Sequence, residues 1–301
     1  MVEQSAAPPG RRWLHLPILV TVTFWAAQVP AMHELGQRWD AATLNLLRYS
    51  IALVVFSALA AALSTPPAAA IGWRRGLALG GCFGGFGILY TLASTLGDPV
   101  AVVTAAALMP VTASLISWAV DGTRPRPQIW RALPLAVPGA ILATPVSGAS
   151  PGQYPVFGLV AILAAQILWS LYSLLLPRWM PAASQIAQTY RSVLWSVPYH
   201  LAAMALAVSL GLTHADTASA PALDAGLIIA ATLGPLVLGV MLWHVSVRQI
   251  GLPMSALYLN LIPVIGTAIA MLFGTVPGVQ QLLGAGLVIL GMVVAQSRPP
   301  G

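Results

Sequence analysis

Apolar residues fill this chain in long unbroken runs, and short clusters of Arg, Asp, Gly and Pro punctuate them. The punctuation marks out ten runs, near 14–33, 41–63, 73–95, 99–120, 129–146, 155–176, 186–210, 223–248, 254–273 and 279–296. Such runs are about 18–25 residues long, enough for a helix to cross a hydrocarbon core of about 30 Å. They are continuous rather than alternating, which predicts helices and not barrel strands. Left undivided, 73–120 would be about twice what a bilayer accommodates, so Gly97-Asp98-Pro99 is read as a tight turn. The pattern predicts an all-α integral membrane protein with ten transmembrane helices.

Composition agrees: 58% of the residues are hydrophobic, 7% are charged and the mean hydropathy is +0.85, against about 25% charged in soluble proteins. The net charge of +6 does not mark a nucleic-acid binder, because the arginines stand one to three at a time between apolar runs. With the N-terminus inside, Arg11, Arg12, Arg74, Arg75, Arg124, Arg126, Arg131, Arg178, Arg191, Arg248 and Arg298 fall at cytoplasmic ends. Arg38 and Arg48 lie toward the other side, where Glu34, Asp40, Asp98, Asp216 and Asp224 are placed as external. By the positive-inside rule both termini are cytoplasmic and the protein sits in the inner (plasma) membrane. The first apolar stretch, interrupted by Pro30 and His33, is read as a retained span and not a cleaved signal. Cys82 is a packing residue inside an apolar run.

Internal similarity sets the architecture. "FWAAQ" (24–28) resembles "LWSLY" (168–172), "NLLRYS" (45–50) resembles "QTYRSV" (188–193), "ILYTLAS" (88–94) resembles "MLWHVSV" (241–247), and Leu-x-Pro-Val occurs around Pro110 and Pro263. Each half holds five spans, an odd number, so the second copy starts on the opposite side of the membrane and the repeats are inverted. The expected organisation is a tail 1–13, a first five-helix repeat 14–146, an external linker 147–154, a second repeat 155–296 and a tail 297–301.

The paired halves, a Trp in the first helix of each, "LR" in the second helix, the Pro-Val of the fourth and "GAGLVILGMVV" (284–294) resemble the EamA-type drug/metabolite transporters over about 14–296. The resemblance implies export of small metabolites, amino acids among them, by a ten-helix carrier. It also implies an arginine at the place of Arg48 in many members, structural or binding. The sequence departs from the family where an acidic residue often follows the fourth and ninth helices: "DGTRP" (121–125) keeps it and "GTVPG" (274–278) does not.

The residues that could carry transport lie deep in the spans. Pro110 is expected to free the carbonyl of Ala106, and Pro263 that of Leu259, because proline cannot donate to position i−4. Asn260 adds an amide nearby. Such groups suit a cavity wall, with the bends as hinges, although an ordinary packing kink is the competing reading. Trp25 shares a helical face with Gln28, and Trp169 with Gln166 and Tyr172, an indole beside a polar group in both halves. That suits a ligand with an apolar body and a polar head. Trp243, His244, Tyr90 and Ser94 complete the candidate substrate set. Arg48 lies well inside its span, where a charge costs roughly 2.5–3.5 kcal/mol on the lenient insertion scale. Arg48 and its repeat mate Arg191 are read as anion sites at alternate entrances or as snorkelling side chains.

Absences narrow the class. No Asp or Glu lies mid-span, which disfavours acid-driven drug/proton exchange. There is no lysine, which disfavours phosphorylated substrates. No nucleophile, metal or cofactor set is expected, so the chain is read as no enzyme. The expected function is alternating-access export of neutral or zwitterionic metabolites, driven by their gradient. The sequence leaves open a proton-coupled efflux carrier, with His244 as its titrating group, and a channel.

Overall fold

The computed structural model describes residues 15–62, 71–122, 124–143, 154–250, 255, 258–274 and 276–296, without the side chains of Pro110, Val247, Arg248, Asn260, Ala295 and Gln296. The expected tails 1–13 and 297–301 lie outside the described residues, as does the linker 147–154 apart from Tyr154.

The helices are α1 Leu16–Gly36, α2 Ala41–Ala62, α3 Trp73–Leu96, α4 Pro99–Ala106, α5 Met109–Asp121, α6 Pro127–Leu142, α7 Pro155–Trp179 and α8 Gln185–Ser209. There follow α9 Pro221–Thr232, a π-helix Leu233–Gly239, α10 Val240–Ile250, a 3-10 turn Leu259–Leu261, α11 Ile262–Leu272 and α12 Val279–Gln296. All ten predicted runs are helical among the described residues, and none contains a strand. Six helices are long and apolar enough to cross a bilayer, or seven if α4 and α5 form one bent span; α11 and α12 are shorter apolar helices. Among the described residues the regular structure is all helical, with the several apolar helices of a multi-pass membrane protein.

Proline acts differently from the sequence expectation. Pro17, Pro99, Pro110, Pro127, Pro155, Pro221 and Pro263 all sit in the first two positions of a helix, where the missing N–H has no intrahelical partner to lose. The fourth predicted span is therefore two helices, bent by 49°, and Pro110 begins the second rather than kinking one. Pro263 likewise begins α11, and the Leu259 carbonyl expected to be free accepts the N–H of Ile262. Polar side chains cap other starts: Asp98 accepts from the Ala101 N–H of α4, and Ser184 from the Ala187 N–H of α8.

Contacts sort the helix ends into two sets. One joins Arg38 to Asp224, Asp40 to His214, Leu96 to Tyr154 and Asp98 to Gln281. The other joins Asp121 to Arg178 and Arg75 to Trp179. The chain passes from one set to the other with each successive rod through α9. Glu34, Asp40, Asp98, Asp216 and Asp224 all belong to the first set, together as the sequence placed them. Small residues let rods touch: a Cβ on Gly80 would strike the backbone of Trp195 on α8, and one on Gly284 would strike Gly139 and Ala143 beside α6. Four apolar clusters fill the bundle, and Trp25, Phe86 and Met109 pack against the two largest of them.

Candidate functional site

Where the two largest clusters meet there is a cavity. Residues from α1, α2, α3, the α4–α5 break, α7, the π-helix, α10 and α11 line it. Its wall is largely aromatic: Trp25, Tyr49, Phe83, Phe86, Tyr90 and Trp169. Trp25 and Trp169, the tryptophans paired by the repeat, meet edge to face at 6.0 Å. Phe86 lies 4.8 Å from Trp169 and 5.4 Å from Tyr90. The arrangement is a rigid apolar box, with Gln28 and Arg48 as polar members and Ala106, Met109 and Ile262 from the two helix breaks.

The break in each half is held by a side chain or a short-range bond. Gln166 donates to the Ala105 carbonyl at 2.8 Å and accepts from the Thr112 hydroxyl at 3.3 Å, spanning the α4–α5 bend. The Trp25 indole donates to the carbonyl of Pro235 at 3.1 Å, inside the π-helix. Backbone groups released from a helix within a bilayer need such internal partners.

Of the predicted residues, Trp25, Gln28, Tyr90, Trp169 and Arg48 line the cavity. Gln166 and Ser94 do not: the first secures the bend, and the buried Ser94 hydroxyl donates to the carbonyl of Tyr90. Trp243 is buried behind Trp25 at 5.3 Å. Tyr172 packs behind Trp169 and Phe83, and its hydroxyl donates to Ser192. Both aromatics brace the wall rather than form it. His244, Pro263 and Arg191 are not among the lining residues, although Ile262 beside Pro263 is. The side chains of Pro110 and Asn260 lie outside the described residues.

Arg48 corrects the snorkelling reading. It is 3% exposed, and its Nε and Nη2 donate to the carbonyl of Ala231 at 3.3 and 2.9 Å. Its Nη1 donates to the Thr91 hydroxyl at 3.3 Å. Thr91 in turn donates to Asn45, whose amide nitrogen is 3.0 Å from Nδ1 of His200. Arg48 thus faces the cavity with a polar brace behind it. Arg191 is half-buried and stands apart from this lining.

The sequence reading missed Tyr49, Phe83, Phe86 and Met109. Phe83, Phe86 and Tyr90 recur at helical spacing along one face of α3, a signal that was present. Tyr49 had no such mark beside Arg48, and Met109 looked like one apolar residue among many.

Comparison with known proteins gives one likeness of fold and two partial matches of sequence. A solved crystal structure superposes on 94% of this chain and 96% of its own with a TM-score of 0.65 and 18% identity, a likeness of fold. A Bacillus subtilis protein named Uncharacterized transporter YyaM is 28% identical over 139 residues, 46% of this chain and 44% of that protein, so the match spans less than half of the relative's length. Residues 12–144, which supply Trp25, Arg48, Phe83, Phe86 and Tyr90 to the cavity wall, match the EamA-like transporter family. That match covers under half of the chain, and over those residues the chain is similar to the EamA-like transporter family.

Proposed function

We propose that the protein is a carrier of small metabolites with an apolar or aromatic body, amino acids among them, working by alternating access of the aromatic cavity. The carrying observation is that Trp25 and Trp169 meet in the wall of one mid-bundle cavity bordered by two interrupted helices. Ten spans arranged as inverted repeats, 14–146 and 155–296, with cytoplasmic termini in the inner membrane, complete the reading. Helix packing supports the repeat. α3 packs on α7 as α10 packs on α1, and α4 and α5 pack on α7 as α11 packs on α1. The remaining contacts of α2 with α8, α4 with α11 and α6 with α12 pair each element with its own counterpart. A pseudo-twofold axis exchanging the halves has this property, and rocking about such an axis exposes a central site to either side.

Among the described residues no Asp or Glu lines the cavity, which favours movement down the solute's own gradient over acid-driven proton exchange. The test is counter-flow in proteoliposomes with a panel of amino acids and related metabolites. Saturable exchange that falls at least about tenfold in Trp169→Ala supports the reading, since removing a buried Trp costs roughly 3–5 kcal/mol of packing. Unchanged exchange in that variant overturns it, and linear flux without exchange points to a pore.

A further inference from the structure

We infer that the cavity selects a singly charged organic carboxylate with an apolar body, held by Arg48, over a zwitterion that carries an α-ammonium group as well. This rests on the carrier reading and names its substrate class.

The argument is one of charge. Arg48 is the charged residue in the cavity wall, and its three hydrogen bonds all go to neutral acceptors, one carbonyl and one hydroxyl. A guanidinium has five N–H donors, so two remain beyond those bonds. The chain has seven acidic residues. Glu34, Asp40, Asp98, Asp121, Asp216 and Asp224 are all described, and all stand at helix ends away from the cavity lining; Glu3 lies outside the described residues. Among the described residues, no carboxylate neutralises Arg48. Buried charges are paired in folded proteins, and a cargo carboxylate entering the cavity supplies the counter-charge that the described residues do not.

Chemistry narrows the class further. One guanidinium matches one carboxylate through its fork, whereas a phosphate dianion calls for more cationic groups than one arginine supplies. The body of the ligand meets Trp25, Phe83, Phe86 and Trp169, so it is apolar and aromatic-sized. A zwitterion brings a second charge of the same sign as Arg48, and the lining offers that ammonium no carboxylate. The matched cargo carries one net negative charge.

Four compounds sharing one phenyl body test this: 3-phenylpropionate, phenylalanine, 3-phenylpropionamide and phenethylamine. Each is titrated against the purified full-length protein by thermal stabilisation, which reports ligand bound to the folded state. The expected result is half-saturation by 3-phenylpropionate at a concentration at least tenfold below those of phenylalanine and the amide, with no stabilisation by the amine. Arg48→Gln is expected to erase the advantage of the acid over the amide while leaving binding of the amide in place; Arg48→Lys retains part of it. An amide or zwitterion that binds as well as the acid, an acid advantage that survives Arg48→Gln, or no stabilisation by any of the four overturns the inference. The wild-type series decides the matter even if a variant fails to fold. Binding of the acid without saturable counter-flow in proteoliposomes would overturn the carrier reading and leave the binding inference standing.

Discussion

Arg38 and Arg48 stand ten residues apart and live in opposite worlds. Arg38, just past the end of α1, donates from Nε and Nη2 to one oxygen of Asp224 at 2.9 and 2.7 Å, and from Nη1 to Glu34 at 2.8 Å. The Trp39 indole takes the other Asp224 oxygen at 2.7 Å. The hydrogen bonds it donates to Asp224 and then to Glu34 push the Arg38 guanidinium still further above its ordinary pKa. Arg48, mid-bundle, is met by one carbonyl and one hydroxyl. The protein saturates the first arginine with its own carboxylates and so fastens the α1–α2 corner to α9. It leaves the second short of charge and turned toward a cavity, which is how a residue reserved for a ligand differs from a structural one.

Substituting methionine at each position separates the two roles most sharply. Arg38→Met strands Asp224 without its cation and is expected to lower stability by about 3 kcal/mol, read from unfolding of the detergent-solubilised protein, with ligand affinity unchanged. Arg48→Met removes a buried charge but leaves the Ala231 carbonyl and the Thr91 hydroxyl without their donor, so stability should fall by about 1–2 kcal/mol while binding of the acid is lost. Equal losses of stability at both sites would end the comparison. Gln166→Leu comes next: the Ala105 carbonyl loses its amide donor at the α4–α5 bend, and thermal unfolding should report a loss of about 1–3 kcal/mol.

The smallest expected effect belongs to Asp40, beside the Arg38 corner. Burial raises its carboxyl pKa, but hydrogen bonds from the Thr43 side chain and from backbone N–H groups, His214 among them, outweigh burial and hold it below the ordinary 3.8. A carboxyl whose pKa is depressed on folding stabilises the fold above the ordinary value and loses that contribution as pH falls through the depressed one. The melting temperature should therefore drop on acidification below that ordinary value. Asp40→Asn should flatten this acid limb and cost about 1 kcal/mol at neutral pH through the weakened cap on α2. An unchanged acid limb in Asp40→Asn would assign the drop to other carboxylates.

Much of the fold was legible in local chemistry. The helix starts at Pro99, Pro127 and Pro155, the Asp98 cap and the turn at Gly97 follow from what one or two residues permit. The site was legible only in part. Trp25, Gln28, Tyr90, Trp169 and Arg48 stood out as polar or aromatic residues deep in apolar runs, and all five line the cavity. Trp243 and Tyr172 carry the same mark in sequence yet brace the wall from behind. Nothing local distinguishes the front of an aromatic box from its support.

By itself, the sequence determined that the chain is a multi-pass helical membrane protein, where most of its rods begin and end, and that Glu34, Asp40, Asp98, Asp216 and Asp224 gather at one end. These properties depend on hydropathy and turn chemistry read over a few residues. Only the tertiary structure decided that Pro110 and Pro263 open helices instead of bending them, that Gln166 serves a backbone break, and that Arg48 has no carboxylate among the described residues. The partners responsible lie far off in the chain, 210 residues between Trp25 and Pro235 and 183 between Arg48 and Ala231. Which distant groups meet is fixed by how whole rods pack, and the hydrogen bonds and charges that packing leaves unmet define the site.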